Sequence, residues 1–200
     1  MEIQSSEYVI SSPDYEKCPK PDKPEYAFIG RSNVGKSSLI NMITNNQKLA
    51  KTSSSPGKTQ MINHFLINKS FYIVDLPGYG FAKRSLTDRR RWQQMIENYL
   101  RKRTNLLNVF LLIDGRLEPQ KNDLDFVNQL GKWEVPFVLV FTKADKENQR
   151  TVAANVKAFI DAMREEWEFL PAHVVSSALK KQGREKILSM IGSWNERFLP

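Results

Sequence analysis

Residues 26–37 read Tyr-Ala-Phe-Ile-Gly-Arg-Ser-Asn-Val-Gly-Lys-Ser: an apolar run, Tyr26–Ile29, leads into Gly30-Arg31-Ser32-Asn33-Val34-Gly35-Lys36-Ser37, and a helix-period stretch, Ser37–Thr44, follows. The octapeptide fits G-x-x-x-x-G-K-[ST] and sits between a strand and a helix, the setting that its mechanism requires. Its glycines let the backbone curl so that successive N–H groups and the helix N-terminus face an anion. Lys36 can then reach the terminal phosphate oxygens, and the Ser37 hydroxyl can ligate Mg²⁺. The pattern predicts a nucleotide-phosphate cradle. It leaves ATP and GTP open.

Working outward, short runs rich in β-branched or aromatic residues recur at Phe65–Ile67, Phe71–Val74, Val109–Ile113, Phe137–Phe141 and His173–Val175, which with Tyr26–Ile29 makes six strand candidates. Helix-period stripes lie between most of them. Trp92, Met95, Ile96, Tyr99 and Leu100 form one, behind Ser85-Leu-Thr-Asp88, which resembles a capping box; Val152, Val156, Phe159, Ile160, Met163 and Trp167 form a second; Ile187, Ile191, Trp194 and Phe198 form a third. These stripes are expected to face the core. Strands alternating with helices predict an α/β, three-layer P-loop NTPase fold: a mostly parallel six-stranded sheet with one antiparallel strand, supplied by a hairpin of Phe65–Ile67 and Phe71–Val74, and helices on both faces. Residues 1–24, with Pro13, Pro19, Pro21 and Pro24, read as an extended N-terminal segment holding a short strand at Tyr8–Ile10, and residues 25–200 as one domain. Lys51–Lys58, dominated by Ser, Pro and Gly, reads as a mobile loop.

Three more segments follow predicted strands, at the edge where open α/β sheets bind ligands. Asp75-Leu76-Pro77-Gly78 puts a carboxylate beside the cradle to hold Mg²⁺ through water, and the Gly78 N–H within reach of a γ-phosphate. Thr142-Lys143-Ala144-Asp145 matches [NT]-K-x-D: the carboxylate can accept both N1–H and N2–H₂ of guanine in a fork, adenine having no such pair, and the apolar stem of Lys143 can cover one face of the base. Thr142 in place of the commoner Asn is expected to weaken the tie to the phosphate loop without abolishing it. Ser176-Ser177-Ala178 would bring a backbone N–H to guanine O6.

Composition narrows the remaining classes. The 200 residues are 40% hydrophobic and 26% charged, enough for a globular core. No apolar run approaches the about 20 residues of a membrane span, and no basic-then-apolar export signal opens the chain, so a cytoplasmic protein is expected. One cysteine, Cys18, and two histidines give zinc or haem almost no ligands. The net charge is +8, which favours polyanionic partners. Between Lys83 and Arg103 eight basic residues face only Asp88 and Glu97; this is either a surface for nucleic acid or an ordinary solvated helix face.

Taken together, Gly30–Ser37, Pro56-Gly57-Lys58-Thr59, Asp75-Leu-Pro-Gly-Tyr-Gly-Phe81 and Thr142–Asp145 closely resemble the EngB family (YihA/YsxC type) of TRAFAC-class P-loop GTPases, over about residues 5–198. The resemblance implies a bacterial cytoplasmic GTPase that uses Mg²⁺, assists assembly of the large ribosomal subunit on its rRNA, and is required for normal cell division and septation. A monomer is expected. It also implies that Thr59 ligates Mg²⁺ and senses the γ-phosphate, that Gly57, Lys58, Thr59, Gln60 and Met61 close over the nucleotide, and that Lys36, Thr59, Gly78 and Asn33 act on the phosphoryl group. Relatives with Asn at position 33 use it to hold K⁺; the alternative is that Asn33 only stabilises the loop turn. Tyr79 stands where Ras-like proteins carry a water-orienting Gln, which implies slow unassisted turnover, on the order of 10⁻⁴ to 10⁻² s⁻¹. Two other readings stay open: a P-loop ATPase or nucleotide kinase, and an RNA-binding module that a nucleotide merely stabilises.

Overall fold

The computed structural model describes residues 1–51, 61–80 and 86–198. Seven strands, β1 (Ser6–Ser12), β2 (Glu25–Gly30), β3 (Ile62–Ile67), β4 (Phe71–Asp75), β5 (Leu106–Asp114), β6 (Phe137–Thr142) and β7 (His173–Val175), form one sheet in the order β1-β3-β4-β2-β5-β6-β7. Only β3 runs against its neighbours, antiparallel to both β1 and β4. The predicted hairpin is therefore present, and its three-residue turn, 68–70, places Asn68 and Lys69 at φ 50° and 54°, left-handed conformations whose twist suits a tight hairpin connection.

The sheet gains one strand over the six counted from the sequence. Residues 6–12 pair along the whole of β3, from Ser6 opposite Ile67 to Ser12 opposite Ile62, and the Asn68 side chain accepts from the amides of Gln4 and Ser5 at 2.7 and 3.1 Å. The sequence predicts a strand there only over Tyr8–Ile10, because exposed Tyr8, Val9 and Ile10 lack the apolar alternation of a half-buried strand.

Alternate residues of each central strand enter different cores. Tyr26 and Phe28 of β2 pack with Leu39, Ile40 and Ile43 of α1 (Lys36–Thr44) and Ile187, Leu188 and Ile191 of α5 (Arg184–Asn195). Ala27 and Ile29 pack on the opposite face with α2 (Leu86–Lys102), α3 (Lys121–Lys132) and α4 (Gln149–Arg164). Covering both faces is why these strands read as continuous apolar runs. The α4 stripe is buried at Val152, Val156, Phe159, Ile160 and Met163 as its spacing predicts, and the Asn148 side chain caps the helix by accepting from the Thr151 amide at 2.8 Å. The Ser85 capping box and nearly all of the Lys51–Lys58 loop lie outside the described residues. Among the described residues no helix is long and apolar enough to cross a membrane.

Parallel pairing puts the C-terminal ends of β2, β4, β5 and β6 at one edge: Phe28 faces Asp75, Gly30 faces Leu112, and Asp114 faces Thr142. The site is built on that edge.

Candidate functional site

The chain leaves β2 at Gly30, turns through Asn33 at φ 63° and Gly35 at φ 99°, and enters α1 at Lys36. Gly35 occupies a backbone conformation that a side chain would strain. The first turn of α1 therefore presents its amides to the loop's concave side, where an anion is stabilised. Lys36 is largely buried and lies against the Asp75 carboxylate at the end of β4. Burial lowers the Lys36 ammonium, to about 7, while the adjoining carboxylate acts in the opposite direction. The Ser32 hydroxyl is buried without a hydrogen-bond partner.

Two side chains tie the Thr142–Asp145 loop to the phosphate loop. The Thr142 hydroxyl lies 2.6 Å from the Val34 carbonyl and 3.2 Å from that of Ile113; having one hydrogen, it is best assigned to the shorter contact. The tie, expected to be weakened but not abolished, is in place, since a hydroxyl on Cβ is long enough when β6 ends this close to the loop. Lys143, at φ 59°, donates from Nζ to the Asn33 carbonyl at 2.6 Å and to Asp114 Oδ2 at 2.9 Å.

Asp145 is the buried polar wall of the other end. Its side chain is 5% accessible, and Oδ1 accepts from the Ser177 hydroxyl at 2.6 Å. That hydroxyl accepts in turn from the Lys180 amide at 3.0 Å, which fixes its direction. The Ser177 bond holds the Asp145 carboxyl below the usual range. Oδ2 is buried and makes no hydrogen bond, with Lys146 Nζ 3.7 Å away. A cavity of about 500 Å³ lies between these parts, lined among others by Gly35, Ser38, Lys143, Asp145 and Ala178. The amides of Ser176 and Ser177 donate to Phe141 and Gln182 at 2.7 and 3.3 Å.

The structure thus gathers Gly30–Ser37, Asp75–Gly78, Thr142–Asp145 and Ser176–Ala178 on one edge. Within them, Val34 and Leu76 turn their side chains into the core, and the Leu76 amide donates to Phe28, so neither offers a side chain to a ligand. Gly57, Lys58, Thr59 and Gln60 lie outside the described residues, while Met61 is exposed just before β3.

Two side chains on this edge, Asp114 and Asp123, escape the sequence reading. Asp114 joins Lys143 to a fork from Arg116 at 2.9 and 2.8 Å; burial alone would raise its carboxyl, but Arg116 and Lys143 bring it down to about 2. A carboxylate ending the run Val109–Ile113 on the ligand-binding edge is the signal available. Arg31 reads in the sequence only as part of the loop, yet its Nε lies 3.1 Å from both oxygens of Asp123 in α3. Nothing local distinguishes Asp123 from an ordinary first-turn acid. Tyr79 is only 5% exposed and donates to Asp123 Oδ1 at 2.8 Å, so its hydroxyl proton is already engaged by a side chain.

The family model for 50S ribosome-binding GTPases matches residues 25–143. The chain is 56% identical over 195 residues to the probable GTP-binding protein EngB of Phocaeicola vulgatus, covering 98% of each chain. It is 50% identical over 198 residues to that of Bacteroides fragilis, covering 99% of this chain and 98% of the relative. A crystal structure of a probable GTP-binding protein engB superposes with a TM-score of 0.63 at 23% identity, over 87% of this chain and all of that one. A single-residue variant of Aquifex aeolicus Era bound to GDP·AlF4⁻ gives 0.65 at 23% identity, over 88% of this chain and 56% of that one. At such identity the structural likeness speaks for the fold.

Proposed function

Since the chain belongs to the EngB family of GTP-binding proteins and is a GTPase, we propose that GTP lies across the crevice with its base on Asp145 and its phosphates in Gly30–Ser37. Hydrolysis to GDP and phosphate is slow and acts as a switch. One observation carries the reading: Asp145 Oδ1 is fixed by Ser177 while Oδ2 is buried without a hydrogen bond. A buried carboxylate oxygen left so is costly, and the N1–H and N2–H₂ groups of guanine are the donors that satisfy it. With the Ser176 and Ser177 amides engaged, that of Ala178 is left to meet O6. The Lys143 stem covers one face of the base.

Mg²⁺ fits the opposite end. Asp75 already faces a cation, the Lys36 ammonium, and Ser37 follows Lys36 in the first turn of α1; Asp75 and Ser37, with Thr59, would hold the ion, which neutralises charge on the phosphates when bound. Lys36 then serves the β- and γ-phosphate oxygens and Gly78 the γ-phosphate. Asn33 is assigned to K⁺, its left-handed conformation fitting the alternative of a turn stabiliser equally well. Equal GTP hydrolysis in K⁺ and Na⁺ buffers would dispose of the K⁺ role.

The same proposal extends to the partner. Arg89, Arg90 and Arg91 are exposed on α2 and would meet rRNA phosphates of the large subunit, whose assembly the GTPase cycle assists in the cytoplasm; the requirement in cell division and septation belongs to this reading. The support is the basic helix face and the ribosome-binding family whose model matches. Titrating the protein with fluorescent GDP, GTP and ATP analogues tests the nucleotide assignment: guanine nucleotides are expected to bind at least about a hundredfold more tightly. Comparable ATP binding would instead favour an ATPase or nucleotide kinase.

A further inference from the structure

Asp123 sits in the first turn of α3, outside every ligand-binding motif, and is 1% exposed. It joins two segments that approach the phosphates from different directions. Arg31, the second residue of the phosphate loop, points its Nε–H at both carboxylate oxygens at 3.1 Å. Tyr79, the residue after Gly78, donates its hydroxyl to Oδ1 at 2.8 Å. The Tyr79 ring stacks on Phe126, one turn along α3, with centroids 4.5 Å apart and an interplanar angle of 17°. Its amide donates back to the Gly30 carbonyl at 3.1 Å.

These contacts close a loop: Gly30, Arg31, Asp123, Tyr79 and back to Gly30. Gly78 lies inside it. A Cβ there would fall 2.9 Å from the Gly30 oxygen and 3.2 Å from the Ser32 nitrogen, so its backbone is pressed against the cradle and admits no side chain. A donor meant for developing charge is most effective when held in place beforehand, because no reorganisation is then required at the moment of reaction. Burial raises the Asp123 carboxyl above its usual range, and the Tyr79 hydroxyl, the Arg31 guanidinium and the positive end of α3 act against that cost.

We propose that Asp123 is a positioning residue for GTP hydrolysis, which through Arg31 and Tyr79 clamps Gly78 against the phosphate loop so that its amide is preset for the γ-phosphate. The clamp rests on the assignment of that amide made above. It also gives Tyr79 a task unlike that of a water-orienting Gln: the phenol holds the backbone, and the attacking water must be oriented by other groups.

GDP has no γ-phosphate, so the clamp should matter for GTP and hardly for GDP. Asp123→Ala and the milder Tyr79→Phe, which removes one hydroxyl, are compared with wild type for GDP affinity, affinity for a non-hydrolysable GTP analogue, and single-turnover hydrolysis. Loss of a hydrogen bond to a charged group predicts that each variant lowers the hydrolysis rate and analogue affinity about tenfold while GDP affinity stays within about twofold. A merely structural role would lower both affinities together. Unchanged hydrolysis, or a parallel loss of both affinities in Tyr79→Phe, would overturn the clamp. Lys36→Ala separates this from failure of the site itself: if that change left both affinities intact, the phosphate-loop assignment would fall, whereas its expected loss of binding leaves Asp123 judged on its own.

Discussion

At the residue scale, the phosphate and base ends of the crevice are coupled through two atoms, Thr142 Oγ1 and Lys143 Nζ, which end on the carbonyls of Val34 and Asn33 at 2.6 Å each. Removing the hydroxyl while keeping the shape leaves a buried carbonyl without its donor, at a cost of about 1–3 kcal/mol. Thr142→Val is therefore expected to weaken GDP binding about tenfold, and Thr142→Ser to restore most of it. Calorimetric titration reads this directly, and wild-type affinity in the valine variant would show that the hydroxyl holds nothing. Gly30–Ser37 and Asp145 were legible in the sequence because their chemistry depends on neighbours within a few positions. Asp123 was not, because its cationic partner Arg31 stands 92 positions away, and although Arg116 lies only two residues from Asp114, the bond that ties Asp114 to the base loop comes from Lys143, 29 positions away; only the folded sheet makes these pairs adjacent.

Among the elements, α2 is anchored at its last turn. Glu25, wholly buried at the start of β2, accepts from Tyr99 Oη at 2.7 Å and Arg103 Nε at 3.1 Å, meets Arg103 Nη2 again, and faces His64 Nε2 of β3 at 3.1 Å. Burial by itself would raise the Glu25 carboxyl, but His64 and Arg103 outweigh it and bring it down to about 2 from 4.5. A carboxyl lowered by folding contributes stability above its unfolded value and loses it as pH falls toward the folded one. Stability should therefore decline between about pH 4.5 and pH 2, by about 3 kcal/mol from this group. Glu25→Gln should be less stable at pH 7 and show a shallower acid decline in urea denaturation; a slope equal to that of wild type would remove Glu25 from the account. Strand and helix positions were readable because apolar periodicity reports burial. The anchor was not, for a glutamate opening a strand reads as solvated until Arg103 and His64 close over it. β1 was seen only in part for the converse reason: its outward residues are apolar and exposed, so backbone pairing with β3 holds it, and pairing leaves little trace in side-chain pattern.

For the whole molecule, total charge overstates the surface offered to a polyanion. Of the basic residues between Lys83 and Arg103, Arg103 is turned inward onto Glu25, and Arg101 pairs with Glu97 at 2.7 Å. Arg89, Arg90 and Arg91 stay exposed. If they meet rRNA phosphates, replacing all three by Ala should weaken binding to large subunits and flatten its dependence on log salt concentration by about three charges' worth. Sedimentation at several KCl concentrations measures this, and an unaltered slope would send the partner elsewhere. Beneath that lies the claim on which the molecule's role depends, that a guanine base rests on the buried carboxylate at position 145. Its most direct test is Asp145→Asn, titrated with GDP and with xanthosine diphosphate, whose base offers an acceptor where guanine has its amino group. The prediction is a loss of GDP affinity of at least about a hundredfold with a switch of preference to the xanthine nucleotide; GDP binding at wild-type strength in the folded variant would contradict it.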